Sequence, residues 1–317
     1  MVEERGEREA PSRRVQLLAD GTLVGMTLVW GCSFVLVKDI VAVVPPMLWL
    51  AVRFAFGALA LAVIVVAARR WRGLTWREVR WGALLGVVLW AAYALQTVGL
   101  QSTSASNGGF ITGLSVVLVP LFGLFILGQR PDRWAVIGVV MATVGLALLS
   151  LHIEERLGVS WGDALVFGCA IAFAVQIVLV SHVAGWADPL RVTLVQVLTA
   201  AVLYAVSAMA AREMGAEKAV AGLSAGVWVA AAVMGVVATA LAIVVQTSVQ
   251  RYAPAVHLAL IFTLEPVFAA IAGAWFQGDR LGPAALVGAG LILAGMLASE
   301  LGPRGRDLPE GDYANGS

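Results

Sequence analysis

The sequence predicts an all-α integral membrane protein, with ten transmembrane helices arranged as two inverted five-helix repeats. Three observations carry this reading. First, 60% of the 317 residues are hydrophobic, only 13% are charged, and the mean hydropathy is +0.90. A soluble domain carries roughly twice that charge fraction, because it has a surface to keep wet. Second, the apolar residues come in blocks of about 20, the length that crosses a hydrocarbon core of about 30 Å. Third, Lys and Arg alternate between the connections. The N-terminus, the even-numbered connections and the C-terminal tail hold 15 of the 21, the odd connections hold 5, and Arg53 is left inside a span. Basic residues favour the cytoplasmic side, so both termini are expected in the cytoplasm and the chain in the plasma membrane.

The elements follow in order. A cytoplasmic tail, 1–17, mixes Glu3, Glu4, Glu7 and Glu9 with Arg5, Arg8, Arg13 and Arg14. It reads as disordered rather than as part of a cleaved leader. The spans are expected at 18–37, 47–68, 81–101, 106–127, 134–151, 161–182, 190–210, 226–249, 254–276 and 283–300. The longer connections are 69–80, 152–160 and 211–225, and the tail 302–317 is rich in Gly, Pro and charge and also reads as disordered. Nine of the eleven tryptophans, including Trp49, Trp71, Trp76, Trp161 and Trp275, fall near span ends, where indole rings favour the interface. Cys32 and Cys169 sit inside apolar blocks and read as small buried hydrophobes.

The halves repeat. An offset of 150 lays Gln96-Thr97 on Gln246-Thr247, Gly123 on Gly273, Gly128-Gln129-Arg130 on Gly278-Asp279-Arg280, and Gly138 and Gly145 on Gly288 and Gly295. An offset of 143 lays Pro46 on Pro189, Arg53 on Gln196, and Ala68-Arg69 on Ala211-Arg212. The repeats are placed at 18–151 and 161–300. Five spans is an odd number, so the second half enters the membrane from the opposite side. Such inverted repeats are common in transporters, where exchanging the conformations of the halves moves the opening from one side to the other.

Trp30-Gly31-Cys32-Ser33-Phe34 in the first span, Arg53-Phe54 in the second and Leu264-Glu265-Pro266 in the ninth form an ordered set. So does G-x-R followed by a pair of glycines seven apart in each half. In these motifs residues 20–300 resemble the EamA-type branch of the drug/metabolite transporter superfamily. The resemblance implies a central cavity lined by spans 1, 3, 4, 6, 8 and 9. It also implies transport of small metabolites, often export of amino acids or related compounds. The halves are not equivalent, since Ser115 and Val116 stand where Glu265 and Pro266 stand.

Candidate residues are those whose placement in lipid is costly. Glu265 is near the middle of the ninth span, where a charge costs about 2.5–3.5 kcal/mol on insertion scales. It reads as a substrate-contacting or proton-carrying carboxylate, or as a cap for backbone freed by Pro266. His257 lies about two turns earlier, roughly on the same face, and is a second candidate for proton coupling. Trp30, Trp90 and Tyr93 are candidates for an aromatic wall. Ser33, Asn107, Gln176 and Gln246 are candidate polar contacts, although polar links between helices would use the same residues. Arg53 reads as a structural lock, its stem snorkelling outward or its head bridging to carbonyls at the end of the first span, and Lys38 as an interfacial residue. Gly138, Gly145, Gly288, Gly290 and Gly295 read as close-packing positions.

The function expected is secondary transport by alternating access, with a small-molecule substrate and the bilayer as partners, no nucleic acid, and a homodimer left open. No cofactor or metal is expected: there is no phosphate-binding loop and no metal-ligand spacing. The alternative is a membrane-embedded enzyme acting on a lipid or isoprenoid, which needs ionisable groups clustered at one depth. A non-transporting scaffold would have a filled interior.

Overall fold

The computed structural model describes residues 13–150, 160–217, 222–251, 255–277 and 282–301. The expected tails lie almost wholly outside these residues, as does the connection 152–159. The described residues form ten helical rods and contain no strand. They are α1 (Arg13–Val41), α2 (Pro46–Ala67), α3 (Trp76–Gly99), α4 (Ala105–Leu127), α5 (Arg133–Ser150), α6 (Trp161–Ala184), α7 (Pro189–Glu213), α8 (Ala225–Val249), α9 (Ala255–Phe276) and α10 (Pro283–Leu301). Eight are long and apolar enough to cross a membrane. α5 and α10 contribute shorter apolar stretches, Arg133–Leu148 and Leu286–Ser299.

Local chemistry sets the starts. Thr75 and Glu78 form a capping box on α3, and Ser160 and Asp163 form one on α6. Each box satisfies orphan N–H groups that lipid and protein interior would leave unpaired. Ser104, Asp188 and Ser224 cap α4, α7 and α8. Pro46 and Pro189 open α2 and α7 at positions whose N–H has no helical partner. α1 begins at Arg13 and α3 at Trp76, each about five residues ahead of the expected spans.

Three rods are interrupted. α4 breaks at Leu114, between Gly113 and Ser115, and α9 breaks at Thr263. Pro266 has no N–H to reach back to Phe262, which ends the first part of α9. Thr263 turns its hydroxyl onto the Leu260 carbonyl at 2.5 Å, so Thr263, rather than Glu265, caps backbone at this break. The two breaks face each other: a Cβ on Gly113 would stand 2.8 Å from Pro266 Cγ. α8 contains a π-helical segment, Met234–Leu241, and α9 ends in another, Gly273–Gln277.

Contacts between the halves are reciprocal. A Cβ on Gly138 would lie 2.7 Å from the Gly295 carbonyl, and one on Gly145 2.5 Å from the Gly288 carbonyl. α5 and α10 therefore cross antiparallel, and each contact is the image of the other under the offset of 150. Likewise Gly86 packs on the Gln196 carbonyl and Thr199, while Gly235 packs on the Arg53 carbonyl and Phe56. Here α3 and α8 are offset by 149, whereas Gln96 and Gln246, beyond the π segment, are offset by 150. A π-bulge is one inserted residue, which accounts for the change. Gly290 departs from the expected packing role, because a Cβ there would meet nothing within 4 Å.

Trp49 lies in the first turn of α2, at a span end as expected, and is fully buried in the core cluster that includes Phe54 and Tyr204. One other expectation is corrected: Cys32 is exposed, while Cys169 is buried.

Candidate functional site

A cavity lies between the halves, with residues of both in its walls. Its walls come in pairs related by the repeat. Trp30 pairs with Phe173, Ser33 with Gln176 and Phe34 with Ile177, all at the offset of 143. Gln96 pairs with Gln246, Thr112 with Phe262 and Ser115 with Glu265, all at 150. All twelve line the cavity.

The aromatic side chains are fixed edge to face, the geometry their quadrupoles favour. Trp30 meets Phe262 with centroids 5.3 Å apart, and Tyr93 meets Phe173 at 5.1 Å. The indole N–H of Trp30 donates to the Ala238 carbonyl at 2.8 Å. Ala238 lies in the π segment of α8, whose wider turn presents this carbonyl to side chains. Arg53 uses the same segment: Nε donates to Thr239 Oγ1 at 3.0 Å and Nη2 to the Ala238 carbonyl at 3.5 Å. Its guanidinium also stands 5.0 Å from the Tyr93 ring centroid, a cation–π distance. The expected tie from Arg53 to the first span is thus replaced by a tie to α8, and Arg53 becomes a cavity residue.

Glu265 opens onto the same space. Among the described residues, no hydrogen bond or ion pair reaches its carboxylate, and no carboxylate pairs with Arg53. The site therefore holds one acid and one base without ionic partners, between aromatic walls. At the polar end Gln246 Nε2 donates to Gln176 Oε1 at 3.1 Å, and Gln96 Nε2 to Thr112 Oγ1 at 3.3 Å. No group of three or more His, Cys, Asp or Glu side chains is placed to hold a metal among the described residues.

Of the sequence candidates, the cavity brings together Trp30, Ser33, Tyr93, Gln176, Gln246 and Glu265. Three are elsewhere. Trp90 turns outward from the wall, and its N–H donates to Ser207 Oγ at 3.1 Å. Asn107 is near the α4 start, where Nδ2 donates to Asp163 Oδ1 at 2.7 Å. His257 lies at the start of α9, 3.0 Å from Asp20 Oδ1, and lines a second cavity. The break at Thr263 separates it from Glu265. Lys38 does more than mark an interface: it donates to the Leu100 and Thr103 carbonyls and ties α1 to the end of α3. Sequence reasoning missed Arg53, Phe173 and Phe262 as wall residues. Applying the offset of 143 to Trp30 would have found Phe173.

Arg53 and Glu265 share one chamber, and His257 lines another. The chamber of Arg53 and Glu265 is central, between the halves, whereas lipid-directed chemistry needs a cluster near an interface.

Comparison with known proteins agrees with this geometry. The model of the EamA-like transporter family matches twice, at residues 17–151 and 160–299. An uncharacterized transporter of Archaeoglobus fulgidus is 28% identical over 303 residues, covering 95% of this chain and 90% of that protein. The uncharacterized transporter YyaM of Bacillus subtilis is 26% identical over 287 residues, covering 87% and 92%. A solved crystal structure superposes with a TM-score of 0.71 at 19% identity, covering 92% of this chain and 98% of that one, and shares the fold. With one family match on each half, this chain is a multi-pass membrane protein that belongs to the EamA-like transporter family.

Proposed function

We propose that the chain is a secondary transporter that moves small zwitterionic metabolites, amino acids or related compounds, out of the cell by alternating access. The observation that carries this is the central cavity, with Glu265 as its acid, Arg53 as its base and no ionic partner for either among the described residues. A substrate ammonium would meet Glu265, a substrate carboxylate would meet Arg53, and its apolar part would lie against Trp30, Phe262, Tyr93 and Phe173. Bidentate geometry makes a guanidinium well suited to a carboxylate.

The mechanism follows from the repeat. All ten rods span the membrane in this reading, α5 and α10 included, as two inverted five-helix units with both termini cytoplasmic. The reciprocal glycine contacts support it, because the antiparallel crossing of α5 and α10 is what inversion demands. The breaks in α4 and α9 meet beside the cavity, where each helix can bend without disturbing its far half. Glu265, which touches the substrate in this scheme, is also the carboxylate that would take up a proton when the substrate leaves.

The test is ligand-induced thermal stabilisation of the purified protein with a panel of amino acids, their amides and their decarboxylated amines. Zwitterions are expected to raise the melting temperature, each tenfold excess over Kd adding about 1.4 kcal/mol. Equal stabilisation by amines and amides would overturn the zwitterion reading.

A further inference from the structure

Two polar contacts outside the central cavity are images of each other. At the end away from the N-terminus, Asn107 Nδ2 on α4 donates to Asp163 Oδ1 on α6 at 2.7 Å. At the N-terminal end, His257 Nε2 on α9 stands 3.0 Å from Asp20 Oδ1 on α1. The offset of 143 carries Asp20 onto Asp163, and the offset of 150 carries Asn107 onto His257. These are the same offsets that pair the walls of the cavity. Each contact joins the first helix of one half to the fourth helix of the other, at the end of the chamber where the pair would have to part.

We infer that Asp20–His257 and Asn107–Asp163 are the two gate latches of this transporter, and that the histidine makes the N-terminal one responsive to pH. The inference rests on the transport reading of the cavity. The outer latch is an amide on a carboxylate, which keeps its strength across the physiological range, and Thr103 Oγ1 reinforces it on Asp163 Oδ1 at 2.6 Å. The inner latch gains a charge when the imidazole is protonated, which turns a hydrogen bond to a carboxylate into an ion pair. An imidazole titrates near about 6.5 unless its surroundings move it.

Among the described residues, Asp20 from α1 is in contact with His257, and Arg130 and Asp132 from the connection into α5 and Arg251 from the end of α8 line the same cavity. α6 and α10 contribute the uncharged Ser181 and Ser299. Asp132 is engaged with the Ala135 N–H at 2.8 Å, and Arg251 Nη2 donates to the Ala187 carbonyl at 3.2 Å. A proton on the ring places a cation against the Asp20 carboxylate, 3.0 Å away. The sign follows: the inner latch is held shut in acid and loosens as pH rises through the imidazole range, so an acidified cytoplasm favours the state closed on that side.

Hydrogen–deuterium exchange of the full chain in lipid nanodiscs, corrected for chemical exchange, tests this. Between about pH 5.5 and pH 8, exchange in segments 17–24 and 255–262 is expected to rise roughly threefold, the span of a modest ion pair, while 103–110 and 160–167 stay level. His257→Asn should keep protection and abolish the pH response. Asn107→His should create a pH response at the outer segments, and it decides the matter if the first variant does not fold. A pH response that survives His257→Asn, or none created by Asn107→His, overturns the inference. Exchange is read without any solute, so its failure is distinct from failure of the transport reading, which uptake measures.

Discussion

The two halves share a scaffold but divide the chemistry unequally. The equivalent helices α2 and α7 both open on a proline, and the equivalent helices α3 and α8 both start on a hydroxyl cap, Thr75 and Ser224. Their crossings are reciprocal, down to the glycines. Yet the image of Glu265 is Ser115, and the image of Arg53 is Gln196. The fourth helices differ as well: 78% of the apolar window of α9 is buried, against 33% for α4. The proposed mechanism needs the scaffold to be alike, because each half must reach the other's conformation. The proposed zwitterionic substrate needs a cavity with distinct ends, and one half supplies the acid while the other supplies the base.

The largest expected effect separates Arg53 from its image. Arg53→Leu removes a charged cavity group and is expected to weaken ligand-induced stabilisation at least tenfold in apparent Kd, since truncating one partner of a buried charge contact costs about 2–5 kcal/mol. Gln196 lies outside the cavity, and both its amide nitrogen and its oxygen are buried without a partner among the described residues. Gln196→Leu should leave binding intact and raise the stability of the unliganded protein by about 1 kcal/mol, because an orphaned polar group costs about that much. Thermal unfolding with and without ligand reads both.

A smaller effect tests the crossing. In Gly145→Ala the new Cβ would stand 2.5 Å from the Gly288 carbonyl and 2.9 Å from Ile292, and overpacking of that kind costs about 1–3 kcal/mol. Gly290→Ala meets open space and should be neutral or stabilising by up to about 1 kcal/mol, from helix propensity. Equal losses at both sites would break the reciprocal-contact account.

The smallest effect concerns a carboxylate at a helix start. Glu217, after α7, accepts the Met47 N–H at 2.8 Å at the start of α2. Partial burial raises its pKa above the usual carboxylate value. The folded state therefore binds this proton more tightly than the unfolded one. The associated stability is present in acid and falls as pH rises through the raised value. Glu217→Gln should flatten that slope by a few tenths of a kcal/mol at most, measured by unfolding across about pH 4 to 7.

Much of this was legible in the residues. The apolar blocks located every rod, since lipid enforces a length. The mid-span acid at 265 marked the cavity, because an ionisable group at that depth is costly unless it faces the protein interior or water. The repeat was legible wherever glycines and glutamines marked it. What escaped was set by geometry rather than by residue type. The π segment of α8 has no signature in Met-Gly-Val-Val-Ala-Thr-Ala-Leu, yet it presents the Ala238 carbonyl to Trp30 and Arg53. Trp90 and Tyr93 are three apart on α3, but only Tyr93 reaches the chamber while Trp90 finds Ser207. Asn107 reads as a cavity contact because it is polar and within a span, and His257 as a proton-coupling group because it lies two turns from Glu265. Their partners, Asp163 and Asp20, come from helices whose pairing only the folded chain reveals.

The most direct test of the central claim is uptake of a labelled zwitterionic amino acid, one that stabilises the protein, into proteoliposomes containing the wild type or Glu265→Gln. If Glu265 receives the substrate ammonium and carries the coupling proton, Glu265→Gln loses at least about tenfold in uptake. Whatever uptake remains should no longer respond to pH. Uptake by Glu265→Gln that matches the wild type at every pH would contradict the account.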